Sequence, residues 1–174
     1  MIFVSGIHGV GKTYFCEMTR ERLGIKSFSA SELIAERKKQ GFSPNKLVSD
    51  IDENQRFLLD AIECLRRDEG EFILDGHFCL LDVQGQITRI QSDTYMMLKP
   101  DFMVLLTEEP AIIAERRLKR DGVKQETSEI QAFQDEEQQY AKEIAGWLNV
   151  PLIVSKGADD LERIIKLIEK KGSD

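Results

Sequence analysis

The chain has 174 residues, 41% hydrophobic and 32% charged, with a formal net charge of −7, which suits one soluble globular domain with a substantial core. The acidic balance argues against an extended nucleic-acid surface, since phosphate backbones reward a basic face, and no apolar stretch approaches the roughly 20 residues of a membrane span. The apolar start, Ile2–Val4, lacks a basic flank and is too short for a signal peptide, so a cytoplasmic protein is expected, with Cys16, Cys64 and Cys79 as free, buried or partly buried thiols outside any C-x-x-C pair.

In chain order, Ile2–Val4 reads as a strand and about Lys12 to Leu23 as a helix. Lys26–Phe28 is a short strand. Ser31 is placed to cap a helix through Glu32, Leu33, Ile34 and Ala35, which Gly41 stops, and Pro44 marks a break. A long helix follows, from Asn45 or Asp50 to Arg67, with Leu58, Ala61, Ile62 and Leu65 at helical spacing. After Gly70, Phe72–Leu74 is an apolar strand closing on Asp75. Leu80–Val83 and Ile87–Ile90 flank a hairpin turn at Gln84-Gly85. Ser92 is placed to cap a short helix through Tyr95–Leu98, and Phe102–Leu106 is a fourth core strand. Pro110 suits the first turn of the next helix. A helix from about Ser128 to Leu148 carries the run Asp135–Glu143, expected as a solvated face, and Trp147, expected as a packing residue joining the last helix pair. Leu152–Val154 is a fifth strand, Asp159 opens a final amphipathic helix, and the Ser173-Asp174 tail is expected to fray.

Strands alternating with helices imply an α/β fold with a largely parallel sheet covered on both faces. The strands are continuous apolar runs, as doubly buried parallel strands are. In such sheets ligands bind beyond the carboxyl ends of the strands. Three segments fall there: GIHGVGKT after the first strand, DGHF after the third and TEEP after the fourth.

GIHGVGKT, Gly6 to Thr13, has the spacing of a phosphate cradle. Successive backbone N–H groups in a tight loop, backed by a helix N-terminus, hold a polyanion. Gly6, Gly9 and Gly11 permit the close backbone approach, Lys12 supplies a point charge, and Thr13 a hydroxyl ligand for magnesium. His8 occupies a variable position of the loop. Asp75, ending an apolar strand beside the cradle, has the position of a second magnesium-holding acid. ERRLKRDG, Glu115 to Gly122, puts Arg116 and Arg120 on one helix face, with Arg117 about 100° round. Positive charge there would stabilise a phosphoryl group in transfer.

This order of segments resembles the nucleoside monophosphate kinases: GxxxxGKT, a Ser-rich strand-to-helix segment, a long helix, an apolar strand closing on LDG, then a basic segment. FSASELIAERKKQG, Phe28 to Gly41, is similar to the segment that grips the acceptor in adenylate kinases, and ILDGHF to their LDGFPR. The likeness is closest to archaeal-type adenylate kinases, in which an aspartate and a histidine follow the third strand and a small hairpin comes next. Here these are Asp75, His77 and the Gln84-Gly85 turn, and the resemblance runs to about Leu148. The sequence departs from the pattern at three places. Ala35 stands where an arginine is usual, with Arg37 two residues on; Phe78 and Cys79 stand near the missing LDGFPR arginine; and Ala30 replaces a threonine.

The resemblance implies a three-layer P-loop NTPase fold, a five-stranded parallel sheet flanked by helices, in one domain over residues 1–174. An acceptor-binding helical insert would span about 29–68 and a short helical lid about 116–130. It implies transfer of the terminal phosphate of ATP, with Mg2+, to a small acceptor such as a nucleoside monophosphate. Gly6, His8, Gly9, Val10, Gly11, Lys12, Thr13 and Tyr14 would surround the nucleotide, Thr13 and Asp75 would place the metal, and Arg116, Arg117 or Arg120 would close over the phosphates. The polar candidates for the acceptor are Ser29, Ser31, Glu32, Arg37, Asp52, Gln55, Arg56 and His77. The alternative is an ATPase acting as a conformational switch or accessory factor with a protein or RNA partner, using the same cradle with water as acceptor.

Overall fold

A computed structural model of the chain describes residues 1–39 and 53–171. The elements, in order, are β1 (Ile2–Ser5), α1 (Lys12–Leu23), β2 (Lys26–Ser29), α2 (Ala30–Lys39), α3 (Glu53–Asp68), β3 (Phe72–Asp75), β4 (Cys79–Leu81), β5 (Ile87–Arg89), α4 (Ser92–Leu98), β6 (Phe102–Leu105), α5 (Pro110–Asp121), α6 (Thr127–Leu148), β7 (Leu152–Val154), a 3-10 turn (Ala158–Asp160) and α7 (Leu161–Lys171). The expected Gly41 stop, the Pro44 break, the Asn45 or Asp50 helix start, Asp52 and the Ser173-Asp174 tail lie outside the described residues.

Five strands form one parallel sheet in the order β2-β3-β1-β6-β7. The apolar runs Ile2–Val4, Phe72–Leu74 and Phe102–Leu105 are buried in it, as parallel strands covered on both faces require. Helix α1 lies against β2, β3 and α7; α6 lies against β6 and β7; and α2 packs on α3. The hairpin β4–β5 is a separate antiparallel pair docked on α6. The register sets Ser29 opposite Asp75, Val4 opposite Asp75 and Val104, and Leu105 opposite Val154. The carboxyl ends of all five strands therefore share one edge.

Several local expectations are corrected. Ser31 does not cap α2: β2 runs straight into the helix at Ala30, and Ser31 Oγ lies 2.9 Å from Ser29 Oγ instead. Ser92 is the first helical residue of α4, with Gln91 at the N-cap position. The final helix begins at Leu161 after the 3-10 turn, and Asp160 rather than Asp159 accepts a backbone bond, from Lys156 N at 3.1 Å. The run Asp135–Glu143 is not wholly solvated, because Glu137, Tyr140 and Ala141 are buried. Trp147 does not enter the core. It is 58% exposed and leans edge-on against Tyr140 with ring centroids 6.5 Å apart. The cysteines are free, with Cys16 and Cys79 buried and Cys64 half-buried. Among the described residues, no helix is long and apolar enough to cross a membrane.

Candidate active site

The loop after β1 leaves the sheet at Gly6, whose φ is 139°. A Cβ at that position would lie 2.6 Å from the Leu106 carbonyl oxygen, so only glycine lets the loop turn there. Gly11, at φ 111°, hands the chain into α1. The loop thus ends at a helix N-terminus, where unpaired N–H groups and the helix dipole favour an anion.

Lys12 opens α1 and folds back so that Nζ donates to Gly6 O at 2.7 Å. Its other polar neighbours are His77 Nε2 at 3.5 Å and Asp75 Oδ1 at 3.8 Å. Burial lowers the Lys12 pKa, with Asp75 opposing; burial raises the Asp75 pKa, with Lys12 opposing. Both charges are thus held part-desolvated beside the cradle. Thr13 and Tyr14 are exposed at its mouth.

Helix α5 grips the loop from the other side. Arg117 is buried and donates from Nε and Nη2 to His8 O at 2.8 and 2.6 Å, and from Nη1 to Gln125 Oε1. Arg116 Nη1 donates to Gly9 O at 3.2 Å and Val10 O at 3.3 Å, while Nη2 meets Glu108 Oε2 at 3.1 Å. Arg120 bonds to its neighbour Asp121. The three arginines therefore separate. Arg116, Lys119 and Arg120 line the cleft, whereas Arg117 is not among its lining residues and braces the His8 carbonyl of the loop.

His77 follows β3, with its ring centroid 4.7 Å from that of His8. Burial, then Lys12 and His8, push its pKa down to about 2, so the ring is neutral; the His8 pKa is lowered by burial and then Lys12. Tyr95 OH donates to His77 O at 2.7 Å. The next two residues are pinned by Glu137 of α6, which accepts from Phe78 N at 2.9 Å and Cys79 N at 2.6 Å. Glu137 is 1% exposed, and burial lifts its pKa to about 6 against the pull of those two N–H groups. Sequence reasoning missed it. The signal was there: Ile130, Phe133, Gln134, Glu137, Tyr140, Ala141 and Ile144 recur at three- and four-residue steps along one buried stripe of α6.

These elements enclose a cleft of about 1110 Å³ that runs from α5 across the loop to α2, α3 and α4. Of the expected acceptor residues, Ser29, Ser31, Gln55 and His77 line it. Glu32, Arg37 and Arg56 are not among the lining residues. Arg37 instead ties α2 to α3, with Nε 3.1 Å from Asp60 Oδ2 and Nη2 2.9 Å from Cys64 Sγ. Thr107, the first residue of the TEEP segment, lines the cleft at the ligand edge, and Thr94, Ser155 and Gly157 line it without having been foreseen. These three come from α4 and from the end of β7, which carry no local motif. A neighbouring cleft of about 790 Å³ shares Thr107, Arg116, Gly157 and Ala158 with it.

Thr13 and Asp75 are the hard oxygen donors beside the loop. Among the described residues, no group of three or more His, Cys, Asp or Glu could hold a metal ion. One hydroxyl and one carboxylate still suit Mg2+, which keeps several waters and takes its remaining ligands from substrate phosphates.

A family model described as an AAA domain matches residues 5–134. A protein of Methanocaldococcus jannaschii named as a putative adenylate kinase is 32% identical over 122 residues, 68% of this chain and 58% of that one. The chain thus spans less than two thirds of that relative's length. A gluconokinase from Sinorhizobium meliloti 1021 has the same fold, with a TM-score of 0.51 at 19% identity over 95% of this chain and 86% of that one. So does a sugar kinase from Janibacter sp. HTCC2649, with a TM-score of 0.55 at 16% identity over 96% and 90%.

Proposed function

The chain belongs to the family described as an AAA domain, and on that premise we propose that it is a P-loop phosphotransferase. It moves the terminal phosphate of ATP to a small acceptor bound in the same cleft. The observation that carries this reading is the position of Lys12: its ammonium group lies against the loop and beside Asp75 and His77 at the end of β3, in the cleft that α2, α3 and α4 also line. A terminal phosphoryl group held by the loop would there face an acceptor on the other wall.

In this reading the loop N–H groups from Gly6 to Thr13 hold the phosphates, with His8, Val10 and Tyr14 around them. Lys12 stabilises charge on the transferred group, and Arg116 and Arg120, on the inner face of α5, add positive charge from above. Arg117 keeps the loop in shape through the His8 carbonyl. Thr13 and Asp75 would hold Mg2+, which neutralises phosphate charge when bound. The insert at about 29–68 supplies acceptor contacts, including Ser31 and Gln55, and the segment at about 116–130 closes over the nucleotide. Closure excludes water, which keeps the phosphoryl group from hydrolysis.

The test is to follow terminal-labelled ATP with Mg2+ and a panel of nucleoside monophosphates, nucleosides, sugar acids and small alcohols. Label should move to one acceptor, and Lys12→Ala should slow that transfer by about 10²–10³-fold, the loss typical of one preorganised charge-stabilising donor. Label released only as free phosphate, at one rate with every acceptor, would overturn the transferase reading in favour of an ATPase.

A further inference from the structure

Charge is divided across the cleft. Its lysines and arginines are Lys12, Arg116, Lys119 and Arg120, and all of them belong to α1 or α5 on the phosphate-loop side. Among the described residues, the opposite wall contributes no lysine or arginine. It is built from Ser31 and Ile34 of α2, Gln55 and Leu58 of α3, Leu80 of the hairpin and Thr94 of α4. Of the two arginines that the sequence offers to this wall, Arg37 spends its guanidinium on Asp60 and Cys64, and Arg56 is not among the residues that line the cleft. Besides these cations, the titratable groups that line the cleft are His8, Tyr14, Asp75, His77 and Tyr95.

A phosphate or carboxylate taken out of water needs fixed cations or converging N–H donors, and an arginine fork supplies both. On this wall it would meet the Asp75 carboxylate instead. What the wall offers is hydroxyl and amide groups set among aliphatic side chains. Two of its polar atoms, Thr94 Oγ1 and His77 Nδ1, are buried without a hydrogen-bond partner in the protein. A buried polar atom left unpaired costs on the order of 1–3 kcal/mol, and a ligand hydroxyl can both donate and accept.

We infer that the acceptor is an uncharged hydroxyl compound with an apolar or aromatic face, of nucleoside size, rather than a nucleoside monophosphate or a sugar acid. This rests on the phosphotransferase reading above. In the transfer, the acceptor hydroxyl oxygen bonds to the terminal phosphorus as the bond from that phosphorus to the β–γ bridging oxygen breaks. ADP leaves with that electron pair, and the hydroxyl proton passes to solvent by way of the new phosphoryl group. Such a transfer leans on positioning and charge stabilisation more than on a base.

The test compares nucleosides, nucleoside monophosphates and sugar acids at equal concentration with terminal-labelled ATP and Mg2+. A nucleoside should be labelled at least about tenfold faster than its monophosphate, the discrimination that one uncompensated charge commonly gives. Label on a monophosphate or a sugar acid at an equal or higher rate overturns the inference and leaves the phosphotransferase reading standing. Label found only as free phosphate removes both. A second variant sharpens the result. Leu80→Arg adds a cation at a partly exposed position of this wall, and it should shift the kcat/KM ratio of monophosphate to nucleoside about tenfold toward the monophosphate. An unchanged ratio, with the circular dichroism and ATP affinity of the parent protein retained, counts against a charge-selected acceptor.

Discussion

The two walls of the cleft are built by different means. The phosphate-loop wall comes from one short stretch, Gly6 to Thr13, braced by two arginines of a single helix through backbone carbonyls. The opposite wall is assembled from α2, α3, the hairpin and α4, four separate elements of the chain. The first is cationic and dense in hydrogen bonds, the second largely aliphatic with unpaired polar atoms. A polyphosphate looks much the same whatever it is attached to, so its cradle can be rigid and local. Acceptors differ in shape and charge, and a wall made from many elements is free to vary.

Three changes probe that contrast. The largest effect belongs to Gly6→Ala. Its methyl group would meet the Leu106 carbonyl oxygen at 2.6 Å on a backbone with φ 139°, and strained positions of this kind cost about 1–3 kcal/mol each before any clash is counted. ATP affinity measured by calorimetry should fall at least about tenfold, with a lower melting temperature. Unchanged affinity would mean that the loop is less rigid than its contacts indicate.

Next comes Arg117→Gln, which removes two donors from the His8 carbonyl while leaving the inner face of α5 intact. Hydrogen bonds from a charged group are worth about 1.5–3 kcal/mol, so the KM for ATP should rise while the KM for the acceptor stays put. Equal changes in both would show that the two walls are not independent.

The smallest effect is at Glu137, behind the acceptor side. Its folded pKa of about 6 lies above the ordinary 4.5, so the native state holds this proton more tightly than the unfolded chain does. The associated stability is fully present below about pH 4.5 and is lost as pH rises through about 6, by up to about 2 kcal/mol. Glu137→Gln should remove that downward slope. Urea midpoints of the two proteins should therefore diverge in favour of the variant between pH 4.5 and 7, and parallel curves would place the titration elsewhere.

The same contrast explains what could be read from the sequence. Helix α1 and strand β7 fall at their expected limits, Lys12–Leu23 and Leu152–Val154, because glycines and the apolar pattern mark them locally. The loop, Lys12 and Asp75 were legible for the same reason: chain neighbours set their spacing. Arg37 was not, since its partner Asp60 lies on another helix and no local rule pairs them. Glu137 was hidden by the charged residues around it, which masked the buried stripe. Ser31 and Ser92 were misplaced by a residue or two because no loop separates β2 from α2 and because Gln91 takes the capping position without a side-chain bond.

Trp147 is the chain's single tryptophan. Its indole rests edge-on against Tyr140, whose hydroxyl donates to Ile90 O at 2.6 Å, and Ile90 lines the cleft. The protein therefore carries a built-in optical reporter. Its indole stands one aromatic ring and one hydrogen bond from a residue that lines the cleft, so a change in its emission on titration with an acceptor is expected, and a constant spectrum would show that this chain of contacts does not move on binding.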